Sequence, residues 1–278
     1  MSSGKDSGKT YHLSCTGDAL ETVNKHTDER DITLFGSCFC PFVQRVWVAF
    51  EYLGIPYKVN EVDPYKKPKD LLDVSPKGLV PGLKLNYFNP PRPLNESTVI
   101  LEYLEDLAAN TTGRTLLPSH TDPYARALVR LQADHVSRTL VPAFYRFLQG
   151  DETKQAEART ELDAALQQLI HLLNDAEQKI DAGMGSGLWS DSGELNWLDV
   201  MVAPWIFRAS NVLLHYRAFE LPEDPKFRAW TQRLFAHPAF KATTSTEDLY
   251  VDSYERYAYN RPNTSQVANA INTGRGLP

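Results

Sequence analysis

The stretch Ser37-Cys38-Phe39-Cys40-Pro41-Phe42-Val43-Gln44-Arg45 decides how the chain is read, because a strand pattern ends and a helix pattern begins inside it. Upstream, Ile32-Thr33-Leu34-Phe35 is a β-branched and aromatic run closed by Gly36, which predicts a buried strand. Downstream, Val43, Val46, Trp47, Phe50 and Leu53 recur at helical spacing. Pro41 falls at the first helical position, where an N–H would have had no partner anyway. Cys40 is thereby placed at the N-cap. The unpaired amides of a first turn and the positive end of the helix dipole favour an anion, and thiols so placed ionise with pKa values of roughly 3.5 to 7.5. A cysteine in no particular context is most simply a small buried core residue. A strand-Cys-Pro-helix junction points instead to a nucleophile.

Around that junction, 278 residues are enough for two modest domains with a substantial core. The net charge is −6 and no Lys/Arg tract is concentrated anywhere, which argues against nucleic acid or an anionic membrane surface as a partner. Three cysteines (Cys15, Cys38, Cys40) are too few and odd in number for a disulfide framework, so a reducing compartment is expected. No apolar signal core opens the chain, and no apolar run approaches the ~20 residues of a membrane span. A soluble, cytoplasmic protein is expected.

The Gly/Lys/Ser-rich stretch 4–10 superficially resembles a phosphate-binding loop, but Ser3 stands where its first glycine should be and no strand precedes it. Residues 11–30 show no assignable pattern. From 31 to 110 the pattern is strand, helix, strand, short helix, two strands, helix. Pro81 lies in the strand-like run Gly78-Leu79-Val80-Pro81-Gly82-Leu83, so it belongs at a strand start, an edge or a cis turn. A helix with Val99, Ile100, Tyr103, Leu104 and Leu107 on one face follows Glu96-Ser97. Thr, Gly, Pro and Ser dominate 110–122, which reads as a linker. Everything from 122 to 258 is helical in pattern, and Pro142 should kink or interrupt the first of these helices. His135 reads as a satisfied core histidine. In Leu195-Asn196-Trp197-Leu198-Asp199, Asn196 can cap the Asp199 amide, the Asp199 carboxylate can answer the Asn196 N–H, and Leu195 can staple onto Val200. Residues 259–278 read as a flexible tail.

This order resembles a thioredoxin-like α/β domain followed by an all-α domain, the pairing of the cytosolic glutathione transferases. Cys40-Pro41-Phe42, Lys67-Pro68, Gly78-Leu79-Val80-Pro81 and Glu96-Ser97 look like the motif set of the omega class, whose members use cysteine where other classes use tyrosine or serine. The resemblance covers residues 31–250, leaving an N-terminal extension (1–30), a glutathione-binding domain (31–110), a helical domain (122–258) and the tail. It implies glutathione as co-substrate, no metal, and a homodimer. Cys40 would form a mixed disulfide with glutathione, and Phe42 would border the site. Val80, ahead of a cis Pro81, would pair its backbone with the cysteinyl part as an added strand does. Glu96 would take the γ-glutamyl ammonium, Ser97 and the helix N-terminus its carboxylate, and Lys67 the glycyl carboxylate. Trp205 and Arg208 are candidates for an acceptor pocket between the domains, with helix packing as the alternative reading of both.

The function implied is glutathione-dependent thiol transfer from mixed disulfides, with dehydroascorbate reduction as an associated activity. Glutathione conjugation to electrophiles and a non-catalytic binding role are the rival readings. Three features depart from the family pattern: Cys38, which makes a Cys-x-Cys pair; Asn196, where the box usually carries Ser or Thr; and the two termini. Residues two apart in extended chain have Cα atoms roughly 6.5 to 7 Å apart, whereas disulfides prefer about 5.5 to 6 Å. Cys38 is therefore read as a small apolar residue closing the strand, and the mechanism as monothiol.

Overall fold

The computed structural model describes residues 11–180 and 185–278; the glycine-rich stretch 4–10 and part of the Gly/Ser loop after 180 lie outside the described residues. A helix α1 (Gly17–Lys25) precedes strand β1 (Ile32–Gly36), helix α2 (Pro41–Leu53), strand β2 (Lys58–Glu61), helix α3 (Lys69–Val74), strands β3 (Gly82–Leu85) and β4 (Arg92–Asn95), and helix α4 (Ser97–Thr111). The sheet order is β2-β1-β3-β4. The β1–β2 pair is parallel and the β1–β3 and β3–β4 pairs antiparallel, with Leu34 opposite both Val59 and Leu83. β1 is buried along its whole length, as its run of apolar residues requires of a central strand. A Cβ on Gly36 would lie 2.6 Å from Val43 Cγ1, so glycine is what lets the first turn of α2 close onto the end of β1. α2 stops where Gly54 adopts a left-handed conformation, φ 70°.

The segment 11–30, which no sequence pattern assigned, contains α1 and ties the two halves together. The Cys15 amide donates to Glu61 Oε1 on β2, the Thr16 amide to Ser245 Oγ, and the Ala19 amide to the Thr244 carbonyl.

Helices α5 (Pro123–His135), α6 (Val141–Gln149), α7 (Gln155–Lys179), α8 (Trp197–Arg208), α9 (Leu214–Arg217), α10 (Pro225–Ala236), α11 (Pro238–Lys241), α12 (Glu247–Ala258) and α13 (Gln266–Asn272) build the second half. Pro142 interrupts the α5–α6 ladder as expected, through a π-helical turn at Val136–Leu140. His135 is satisfied by the Ala165 carbonyl at 3.0 Å. The capping box forms: the Asp199 amide donates to Asn196 Oδ1 at 3.0 Å and the Asn196 amide to Asp199 Oδ2 at 3.1 Å, with Leu195 and Val200 both buried. Asp199 also accepts from the Leu188 amide and from Trp230 Nε1, so the box anchors the loop before α8 and helix α10 to α8.

The stretch 259–278 is where the structure departs most from expectation. In place of a flexible tail it holds α13, capped by Ser265, whose Oγ accepts from the Ala268 amide at 2.9 Å. α13 packs on α6, where Gln149 Nε2 reaches the Ala268 carbonyl, and Gln266 Nε2 reaches the Lys77 carbonyl of the first domain. Ala268 and Ala270 are buried; small side chains let the helix sit close, and they are also why its hydrophobic pattern is faint. No helix among the described residues is long and apolar enough to cross a membrane.

Candidate functional site

Cys40 caps α2 as predicted: its amide donates to the Ser37 carbonyl at 3.1 Å, and its own carbonyl accepts the first helical bond from the Gln44 amide at 3.0 Å. The thiol is half-buried and points toward the Val80 carbonyl, 3.8 Å away. The Val80–Pro81 bond is cis. Cys40, Phe42, Lys67 and Val80 line one cleft of about 330 Å³, and Phe42, Val80, Pro81, Glu96 and Ser97 line an adjoining cavity of about 460 Å³. Phe42 and Val80 are shared, so the fold gathers seven of the nine expected residues around two connected spaces.

Lys67 sits at the rim of the first cleft. Its stem lies against Gly78, where φ is 64° and a Cβ would come within 2.5 Å of Lys67 Cδ, and its ammonium donates to the Lys77 carbonyl at 2.9 Å. Glu96 is not an ordinary helix cap. Its side chain makes no capping bond, and its backbone is held at φ 69°, a strained value for a residue with a Cβ. The carboxylate stands exposed at the cavity mouth. Ser97 is buried below it, and its Oγ accepts from Arg45 Nε at 3.1 Å and from Arg45 Nη2.

Trp205 and Arg208 line neither space, and the acceptor-pocket role expected of them is corrected to packing. Both are fully buried on α8. Trp205 stacks edge-on behind Phe42, 4.9 Å between centroids, so it backs a lining residue without reaching the cleft. Arg208 braces the domains: Nη1 donates to Gln44 Oε1 at 2.7 Å and to the Pro204 carbonyl at 2.8 Å, and Nη2 donates to the Phe39 carbonyl at 3.0 Å. The guanidinium also lies over the Tyr250 ring at 4.3 Å. It thus holds the turn that carries Cys40 from behind.

The cleft wall facing Cys40 is built from residues that sequence reasoning passed over. Tyr145, Tyr254 and Tyr257 come from α6 and α12, and Gln266 and Val267 from α13. Leu277 reaches the second cavity. No local signal marks the tyrosines, but Val267, Ala268 and Ile271 behind Ser265 form a capped helical pattern that could have been found. Arg45 was legible as well: it is the one cation on α2, most of whose positions are apolar.

This enclosure reverses the expected ionisation of Cys40. Burial pushes the thiol up, against the Val43 and Phe42 amides and the Arg208 and Arg45 guanidiniums that pull it down. The helix terminus acts as predicted; desolvation by remote segments outweighs it. The other thiols are further from reactivity. Cys38, buried and donating to the His12 carbonyl at 3.3 Å, is pushed up to about 12 by burial and by Glu61, and Cys15 is raised by the same two causes.

The fold is shared with known proteins. Residues 34–112 match the family described as glutathione S-transferase, N-terminal domain, and residues 152–233 match glutathione S-transferase, C-terminal domain. A probable glutathione S-transferase of Oryza sativa subsp. indica is 30% identical over 74% of this chain and 86% of its own. Glutathione S-transferase omega-1 of Sus scrofa is 25% identical over 82% of this chain and 84% of its own. Among solved structures, glutathione transferase Omega 3C from Trametes versicolor superposes with a TM-score of 0.74 at 33% identity, over 89% of this chain and 98% of that one. The chain belongs to the glutathione S-transferase family. Omega-class members are among its relatives, and its architecture is the thioredoxin-like plus helical pairing of that family.

Proposed function

We propose that the two connected spaces hold one glutathione and that Cys40 carries glutathione-dependent thiol transfer. The observation that supports this most is the placement of a cysteine, not a hydroxyl residue, at the N-terminus of α2, opening into the cleft that Val80 and Lys67 border. The Cys40 thiolate attacks the glutathionyl sulfur of a mixed disulfide. A Cys40–glutathione disulfide forms, and the partner leaves as its thiolate and takes up a proton. A second glutathione, as thiolate, then attacks the bound glutathionyl sulfur, releasing oxidised glutathione and restoring Cys40. Val80 pairs with the cysteinyl backbone, Glu96 takes the ammonium, Ser97 and the α4 N-terminus take the γ-glutamyl carboxylate, and Lys67 takes the glycyl carboxylate.

A second reading has an observation in its favour. Conjugation of glutathione to electrophiles needs a hydroxyl that holds a glutathione thiolate, and two tyrosines, Tyr145 and Tyr254, are among the residues lining the same cleft. One experiment separates the readings: turnover of a glutathione mixed disulfide and of 1-chloro-2,4-dinitrobenzene by wild type and Cys40→Ser, beside retention on a glutathione resin. Thiol transfer predicts that Cys40→Ser binds the resin and loses disulfide turnover. Conjugation that survives in Cys40→Ser with no disulfide turnover in wild type would favour the second reading. Retention with neither activity would make the protein a binder only.

A further inference from the structure

Arg45 is a buried charge in the site that no carboxylate pairs with directly. Its side chain is only 4% exposed, and its contacts are all neutral: Ser97 Oγ, taken by both Nε and Nη2; the Met201 sulfur, 3.3 Å from Nη1; and the rings of Phe42 and Trp205, 5.0 and 5.4 Å from the guanidinium carbon. No carboxylate among the described residues pairs with it. Glu96, which lines the same 460 Å³ cavity, favours the charged guanidinium only from a distance, since it stands exposed at the cavity mouth. A buried guanidinium without an anion is unfavourable by several kcal/mol, and a fold keeps one where something else supplies the negative charge. Burial lowers Arg45 to about 10, which still leaves it charged at neutral pH.

The hydrogen-bond inventory of Ser97 says what that something must look like. Arginine only donates, so its two N–H groups occupy the acceptor sites of Ser97 Oγ and leave the hydroxyl hydrogen with no use but to donate outward. Ser97 lines the cavity. A hydroxyl fixed as a donor, polarised from behind by a cation and set at the first turn of α4, is a seat for a carboxylate. We infer that Arg45 is the positioning residue of this seat: it orients and charges Ser97 for the α-carboxylate of a γ-glutamyl ligand. This rests on the glutathione reading above and adds to it the group that makes the subsite anion-selective.

The test compares glutathione with 4-aminobutyryl-cysteinyl-glycine, which lacks only the α-carboxylate, by calorimetric titration of the full-length protein. Wild type should bind the analogue about tenfold or more weakly, the scale of a charge-assisted hydrogen bond. In Arg45→Met, glutathione should weaken by about the same factor and the analogue hardly at all, so that the discrimination falls below about threefold. Arg45→Lys, which keeps the charge but loses the two-pronged hold, should fall between. A purely structural role would weaken both ligands equally and leave the discrimination intact, and that result in either variant overturns the inference. So does a wild type that binds the analogue as tightly as glutathione, a measurement that needs no variant to fold. A wild type that binds neither ligand overturns the glutathione reading itself.

Discussion

Arg208→Met removes a brace while leaving an unbranched apolar stem in its place, and its consequences separate packing from substrate recognition. The substitution strips the buried Phe39 carbonyl and Gln44 Oε1 of their donors, at 3.0 and 2.7 Å, across the junction of the two domains. Each unsatisfied buried acceptor costs about 1 to 3 kcal/mol. Methionine is cheaper to bury than a guanidinium, which offsets part of this, so a net loss of about 3 kcal/mol is expected. At about 2 to 4 °C per kcal/mol for a chain of this size, the thermal midpoint should fall by roughly 6 to 12 °C. Because Arg208 pulls the Cys40 thiol down, its removal should also move the alkylation profile of Cys40 to higher pH. KM for the disulfide substrate should stay within about threefold, since Arg208 does not line the cleft. Thermal unfolding, pH-dependent iodoacetamide labelling and steady-state kinetics on one preparation are sufficient. A midpoint within about 1 °C of wild type, a loss of well under 1 kcal/mol, together with a tenfold rise in KM, would return Arg208 to the acceptor pocket and refute the bracing argument.

Three further outcomes follow from the site. Alkylation of wild-type Cys40 should accelerate with pH through an inflection above the ordinary thiol value of about 8.5, with Cys15 and Cys38 untouched until unfolding; an inflection near 6 would mean that the α2 terminus outweighs burial. Glu96→Ala should raise KM for glutathione by about tenfold with kcat within about threefold, because the residue acts at the end of the ligand remote from sulfur; an unchanged KM in folded protein removes it from the site. Cys38→Ser should keep most disulfide turnover, and wild type treated with oxidised glutathione should gain the mass of one glutathione. An internal disulfide, or a tenfold loss in Cys38→Ser, would overturn the monothiol mechanism.

Local rules were legible wherever the physics was local. The β-branched run, Gly36 and Pro41 place the end of β1 and the start of α2, and Asn196 with Asp199 announces α8, because each signal and its effect lie within one turn of chain. α1 was hidden because it is only nine residues long and buries only Ala19 and Thr22, so its period is too short to stand out. Arg208 was left between two readings for a different reason. A cation on an apolar helix looks the same whether it faces a ligand or a distant acceptor, and its partner Gln44 lies 164 residues away in sequence. The Cys40 ionisation failed likewise: the helix terminus is local, but the walls that desolvate the thiol come from α6, α12 and α13.

The raised thiol and the two buried guanidiniums belong to one electrostatic arrangement. Neither Arg45 nor Arg208 has a carboxylate partner among the described residues, and both favour a Cys40 thiolate. That attraction falls short of the desolvation, and the thiol is held above its ordinary value. A thiol one unit above ambient pH has about a tenth of its thiolate fraction, but its intrinsic nucleophilicity rises by about threefold per unit, following a Brønsted slope near 0.4 to 0.5. The net penalty on attack is therefore only about threefold per unit, less than the loss of thiolate alone would give. Its ejection in the second half-reaction suffers more, since a high-pKa thiolate leaves slowly. Resolution by glutathione should thus limit turnover near neutral pH, and the Cys40–glutathione adduct should be the species that accumulates in the steady state. Quenching a reaction with acid and weighing the intact protein would find it. A protein free of adduct at saturating disulfide and low glutathione would show instead that the first attack is limiting, and that the raised thiol governs the forward step after all.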